Sequence, residues 1–377
     1  MGNLISIEFS PTEIIDAVSR LYHRLKNPPV YQATVRKTRQ GKEWNCQKKK
    51  YINIPSRPKN QNNGPIHYCC GESNATLLHQ SAYRDSFMPI TPHNVDFKYS
   101  FYIAEAPVTN EDYQTFVNAT GYQTKAERDG FAYAVRRDEN NIPCENGATI
   151  RQAAITWRSP GFPLNYCEGN LSNHPVVCVT WHDALEYIKW LNENWKRPSI
   201  PRNYFYTLPS EAMWEVACRA GDVTGLFFWG NDVQKSTCYI NASSCPVGWQ
   251  DNMNDLLPRF FPPDNYCFTS PVASYQPNKF GLCDMLGNVF EWCYDAAGAI
   301  PHGSLQDPWG ADAANREITY IDRICRGGSW ATGPFYTRCA YRRFLSKDCP
   351  TNDVGFRVAL AHKTIIPENL KPLIGIR

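Results

Sequence analysis

The 377 residues predict an α+β fold: one loop-rich domain carried by two or three helices and a small twisted sheet. Aromatic residues make up 13% of the chain, and 23 Gly and 28 Pro punctuate it throughout. That composition favours short strands and long ordered loops over a bundle of helices. Three segments after residue 90 carry a cap and an apolar spacing of helical period, and a fourth alternates as a strand. With 42% apolar residues the chain can bury a core, and its length suits one large domain plus an extension, or two modest domains. Residues 1–90 read as an N-terminal helix and a basic extension, 91–362 as the domain, and 363–377 as a tail.

In chain order, the first helix is capped by Ser10, has Pro11 in its first turn and completes a capping box with Glu13. Ile14, Ile15, Val18, Leu21 and Leu25 recur at helical spacing until Pro28 and Pro29 stop it. One amphipathic helix cannot bury its own stripe, so it has to dock on the domain or on a partner. Residues 1–66 carry twelve Lys or Arg against four Asp or Glu. That asymmetry suits an acidic or nucleic-acid partner, or an arm lying against its own acidic domain. Only Trp44 and Tyr51 offer stacking groups within the basic stretch Arg36 to Lys59.

Phe97 to Ile103 alternates as a strand. Thr109 caps a helix with Asp112 at its third position, presents Tyr113, Phe116 and Val117, and ends at Gly121. Thr180 and Asp183 begin a second, whose face is Trp181, Ala184, Leu185, Ile188 and Leu191. Ser210 begins a third, burying Trp214, Ala217 and Cys218 before Gly221. Beyond Gly221 only short runs follow, broken by Pro, Gly, Asn and Asp.

Fifteen cysteines include no C-x-x-C pair, the spacing by which structural zinc sites announce themselves, so most read as reduced, small buried hydrophobes. No apolar run reaches the ~20 residues of a membrane span, and Met1 to Ser10 carries Glu8 and no basic signal-peptide region. A cytoplasmic protein is expected. Met1-Gly2-Asn3-Leu4-Ile5-Ser6 also matches the short pattern for N-myristoylation. The sequons at Asn74, Asn118, Asn170 and Asn241 gain meaning only in a secreted chain.

Eight stretches in order carry a family likeness: Ala106 to Tyr122, Thr124 to Phe131, Thr156 to Gly161, His174 to Leu191, Leu208 to Gly221, Asn278 to Trp292, Arg326 to Trp330 and Gly355 to Leu360. Together they resemble the formylglycine-generating enzymes over residues 95–360, which implies the variant of the C-type lectin fold that those enzymes share.

The resemblance also implies where the family's chemistry would stand. Its enzymes carry one cysteine three residues past the serine of the GGS motif and another eight past it; the two bind copper and oxidise a substrate cysteine with oxygen. Soft thiolates select Cu(I). Counted from Ser329, those places hold Thr332 and Thr337, whose hydroxyls are hard and weakly acidic. No copper is expected. Cys339 and Cys349 are near in sequence but off the family's spacing, and Cys339 reads as core. The related sulfoxide synthases imply a histidine iron site, yet His23, His67 and His79 share no ligand spacing.

By the same resemblance two calcium sites are expected. One maps to Asp284, Gly287, Val289 and Glu291, the other to Asn241, Ala242, Asp264 and Tyr266; hard oxygen ligands on tight turns suit Ca²⁺. The alternative role for Asp284 and Glu291 is to cap loop amides.

Ala331 to Ser346 corresponds to the substrate cleft of the enzymes. It also corresponds to the variable region of the diversity-generating retroelement variable proteins, a second group with this fold. Mutagenesis there leaves codons unable to encode Trp, Met, Lys, Gln or Glu, and residues 331–346 contain none of the five. Trp330, Thr332, Phe335, Tyr336, Thr337, Tyr341, Arg343 and Phe344 are the ligand-binding candidates, on a surface spanning 330–354 that would take a protein or other macromolecule. Aromatic rings and Arg carry most interface energy. Arg338, Arg342 and Arg357 read instead as structural anchors. A non-catalytic binding protein is the leading expectation; a metal-dependent oxidase or other family enzyme with a non-standard site is the alternative.

Overall fold

The computed structural model describes residues 51–54, 95–136, 149–163, 166, 170–194, 202–222, 225–242, 261–262, 264, 266–298, 305–310 and 322–376. All belong to one compact unit, Asn45–Arg377. The expected N-terminal helix, most of the basic stretch and the acylation pattern lie outside the described residues.

Among the described residues four α-helices form where caps dictate. In α1 (Asn110–Thr120) the Thr109 hydroxyl accepts the Asp112 amide while the Asp112 carboxylate accepts the Thr109 amide, and Gly121 closes the helix at φ 68°. The same reciprocal box, Thr124 with Glu127, starts the short α2 (Lys125–Asp129). In α3 (Trp181–Asn194) Thr180 and Asp183 form the box, and the second oxygen of Asp183 accepts Tyr122 Oη at 2.8 Å and the Lys125 amide at 3.1 Å. One carboxylate thus starts α3 and fixes the junction of α1 and α2. Ser210 caps α4 (Glu211–Arg219), which ends on Ala220 at φ 47° rather than on the expected Gly221.

Two four-stranded sheets hold these helices. The first runs β1 (Tyr51–Ile54), β3 (Phe101–Ala104), β12 (Ala359–His362), β6 (Tyr204–Thr207), antiparallel throughout. The second runs β10 (Arg342–Ser346), β9 (Asp322–Arg326), β7 (Phe290–Ala296), β11 (Val354–Gly355), with β11 parallel to β7. Two pairs complete the set: β2 (Val95–Asp96) with β8 (Leu305–Gln306), and β4 (Phe131–Val135) with β5 (Thr149–Ala153). Every residue of β7 is buried, as in a strand covered on both faces.

The main core joins the inner faces of α1, α3 and α4 to both sheets through Tyr113, Phe116, Trp181, Trp214, Trp292 and Phe356. β1 lies within the segment read as an extension, yet its four residues pair in register with β3. Residues 363–376, read as a tail, bury Ile366, Leu370, Ile374 and Ile376 in the same core, and Asn192 of α3 donates to the Ile374 carbonyl. Beyond Gly221 the described residues contain only short 3-10 turns and strands, as the punctuation there predicts. Among them no helix is long and apolar enough to cross a membrane.

Candidate functional site

After β9 the chain turns sharply through Gly327 (φ 99°) and Gly328 (φ 77°). A Cβ on Gly328 would lie 2.5 Å from Thr337 Oγ1, so glycine lets Thr337 close over the turn. The Thr332 hydroxyl accepts the Ser329 amide at 2.8 Å and lies 3.1 Å from both the Ser329 carbonyl and the Thr337 hydroxyl. Thr337 reaches the Gly333 carbonyl at 3.0 Å and the Thr332 carbonyl at 3.3 Å. Both threonines are 0% exposed. Each hydroxyl proton therefore has a backbone acceptor at hand, and the pair closes the loop upon itself.

Trp330 is buried as well. Its ring packs against Phe162 and Phe268, and its indole donates to the Asn352 carbonyl at 3.2 Å. Phe335, Tyr336, Tyr341, Arg343 and Phe344 are half-buried. Phe335, Tyr336 and Tyr341 meet edge to face, with centroids 5.2 to 6.2 Å apart. The eight binding candidates thus divide into three buried residues (Trp330, Thr332, Thr337) and five half-buried ones. Arg342 covers the Phe344 ring on β10.

The three expected anchors differ. Arg342 grips Glu211 with two bonds, 2.6 and 2.8 Å, tying β10 to the first turn of α4. Arg357 grips Glu291 at 2.6 and 2.7 Å and donates to the carbonyls of Ala104, Cys283 and Asp284. Arg338 instead donates to the Phe335 carbonyl and lies over the Phe335 ring. Arg343 pairs with the buried Asp353 at 2.6 Å, so this cation is already neutralised.

The two calcium sets differ in their fit to a cation. In the first, both Glu291 oxygens are held by Arg357, one also taking the Trp214 indole at 2.7 Å. The guanidinium also donates to the Asp284 carbonyl, which puts a fixed positive charge among the four residues. Asp284 caps the Ala273 amide at 2.7 Å, and burial pushes its carboxyl up to about 6. In the second, Asn241 Oδ1 is buried without a hydrogen-bond partner while its Nδ2 donates to Phe268 O. Burial pushes the Asp264 carboxyl up to about 6 as well, although it accepts the Ala242 and Tyr266 amides. No cation pairs with it among the described residues, so an orphaned amide oxygen and a desolvated carboxylate are left for a hard ion.

Two features escaped sequence reasoning. Asn288, at φ 59°, exchanges two bonds with the Ser270 backbone, donates its amide to the Asn241 carbonyl, and offers its own carbonyl to the Trp330 amide. It therefore binds the Asn241 loop to the Trp330 loop; the GN dipeptide, typical of a left-handed turn, was its only signal. Cys218 Sγ and Cys339 Sγ lie 3.6 Å apart at 0% exposure. Of the nine described cysteines six are buried, in keeping with their use as small hydrophobes.

Residues 51–362 match the Sulfatase-modifying factor enzyme 1-like domain, FGE-sulfatase. The chain belongs to that family. It is similar to the formylglycine-generating enzyme of Mus musculus, 32% identical over 281 residues, which is 70% of this chain and 66%, just under two thirds, of that protein. It is 29% identical over 267 residues to the inactive C-alpha-formylglycine-generating enzyme 2 of Mus musculus, covering 67% of this chain and 72% of that one. Treponema denticola variable protein 1 superposes with a TM-score of 0.47 at 21% identity, covering 71% of this chain and 87% of the other. The α+β architecture with small sheets and few helices is that of the family, the formylglycine-generating-enzyme variant of the C-type lectin fold.

Proposed function

We propose that this family member binds a macromolecular ligand, most simply a protein, at the 330–354 surface and does no oxidation there. One observation carries the reading: at the places where the resembling enzymes hold copper between two sulfurs, Thr332 and Thr337 bond to each other and to the backbone. A threonine hydroxyl keeps its proton at neutral pH and offers a soft cation little. The likeness to a relative named as inactive supports the same direction. The same segment offers Phe335, Tyr336 and Tyr341, half-buried and mutually packed, residue types that dominate interface hot spots. The absence of Trp, Met, Lys, Gln and Glu from 331–346 supports diversification of the segment by a retroelement.

Calcium belongs to the same proposal, at Asn241, Ala242, Asp264 and Tyr266. There the ion would fix the loop that Asn288 ties to Trp330.

The test is anaerobic titration of the reduced chain with Cu(I), together with oxygen uptake in the presence of a cysteine-containing peptide. Neither stoichiometric copper nor oxygen uptake is expected. One tightly bound copper per chain, or turnover, would transfer the function to an enzyme of this family using other ligands.

A further inference from the structure

The first sheet ends in a surface that the proposed binding function does not use. β3 is entered, β12 is left and β6 is entered at the same end, because His362 of β12 stands opposite Tyr204 of β6 and Leu360 opposite Tyr102 of β3. The Tyr99 and His362 rings are stacked there, centroids 3.9 Å apart and 15° from parallel. Tyr204 meets His362 edge to face at 5.4 Å and exchanges a hydrogen bond with the Ser100 hydroxyl. The three rings are half-exposed. Lys98 and Arg202, both exposed, flank them, and neither has a salt bridge among the described residues. Lys363, also exposed, follows His362 directly, and its amide bonds the Asn203 carbonyl. Acids stand here too: Asp307 accepts the Lys98 amide, and Asp96 of β2 lies two residues before Lys98.

We propose that this sheet end is a binding surface for single-stranded nucleic acid. Flat rings alternate here with flanking cations. Stacked rings give bases a face that tolerates any sequence, while cations one or two residues away meet the phosphates between them. The Lys98 ammonium sits 5.6 Å from the Tyr99 ring centre on a flexible stem, so a base can displace it and leave its charge for a phosphate. A polyanion without rings would satisfy the cations and leave the stack unused, which is what separates the two classes of ligand.

The full chain is titrated with a fluorescent twelve-residue oligothymidylate and, in parallel, with inorganic polyphosphate of equal charge. Lys98→Glu with Arg202→Glu is expected to weaken oligonucleotide binding about tenfold or more and to flatten its salt dependence. Tyr99→Ala is expected to weaken the oligonucleotide several-fold and leave polyphosphate unchanged, with Tyr99→Phe restoring it. The basic N-terminal segment is present in every variant and cancels in the comparison. Circular dichroism melts confirm that each variant is folded. Unchanged oligonucleotide affinity in the double variant, or equal loss of both ligands in Tyr99→Ala, overturns the proposal.

Discussion

Thr332 Oγ1 and Thr337 Oγ1 lie 3.1 Å apart beneath the candidate binding surface, five residues apart in sequence and shielded from solvent by the turn that Gly327 and Gly328 make possible. Two side chains that meet at this distance as hydroxyls would meet as sulfurs if both were replaced.

The double variant Thr332→Cys/Thr337→Cys is therefore expected to acquire Cu(I) affinity that neither single variant shows. Competition with a chromophoric Cu(I) chelator measures it. The reverse, copper held by the unaltered chain and lost on Thr332→Cys, would contradict the role given to the pair.

Breaking the Arg357–Glu291 pair from one side strands a charge at 0% exposure. Arg357→Met or Glu291→Gln should cost about 3–5 kcal/mol in urea unfolding. The double variant should cost less than the two singles added together, since the uncompensated charge disappears with its partner.

Calcium added to the chelated chain should raise its melting temperature, and Asp264→Asn should abolish that rise. Because Arg357 occupies the first candidate set, Asp284→Asn is expected to leave most of the calcium response intact. Calorimetry with and without chelator separates the two; a response lost only in Asp284→Asn would reverse the assignment.

Two buried groups pull the pH dependence of stability in opposite directions. Burial lowers His174 to about 4 from 6.5, so between those values the unfolded chain takes up a proton that the folded one refuses, and stability falls as pH drops through that window. Burial, followed by the nearby Glu211 carboxylate, raises Asp295 to about 7 from 3.8. Its contribution is complete below pH 3.8 and is lost as pH rises through 7. His174→Gln should remove its share of the fall in stability as pH drops from 6.5 to about 4, and Asp295→Asn its share of the fall as pH rises from 3.8 to about 7, in unfolding curves taken across pH.

Cys218 and Cys339 join α4 to the loop after Thr337 with sulfurs 3.6 Å apart. Exposure of the chain to a disulfide oxidant during refolding should link the two and remove 2 hydrogens per pair, as differential alkylation and mass spectrometry would read. Independent alkylation of both after that treatment would show that the side chains cannot approach further.

Most of the helical skeleton was legible because caps are local. Thr109 with Asp112, Thr180 with Asp183 and Ser210 each announce a start within four residues, and the apolar spacing after them names the buried face. The strand expected from Phe97 to Ile103 forms from Phe101 to Ala104, since the chain bends after Asp96 and Phe97 packs edge-on against Phe101. The helix at Lys125 had the same kind of signal in Thr124 and Glu127, but five residues give too little periodicity to stand out. What no local pattern carries is pairing across the chain. β1 against β3, Arg342 with Glu211 and Cys218 beside Cys339 are each set by long-range topology. For the same reason the burial of Trp330 and of both threonines was hidden: composition marks a segment as fit for contact, while only the fold decides which of its side chains face inward.

The seam formed by β12 has a temporal side. This strand lies between β3 and β6, and neighbouring Arg357 reaches back 253 positions to the Ala104 carbonyl. During synthesis the two flanking strands leave the ribosome long before the piece that joins them, at a rate of about 5–20 residues per second. For roughly ten seconds or more the nascent chain holds an open, apolar gap that only its late-made residues can fill, and that interval is when a chaperone would have the most to protect.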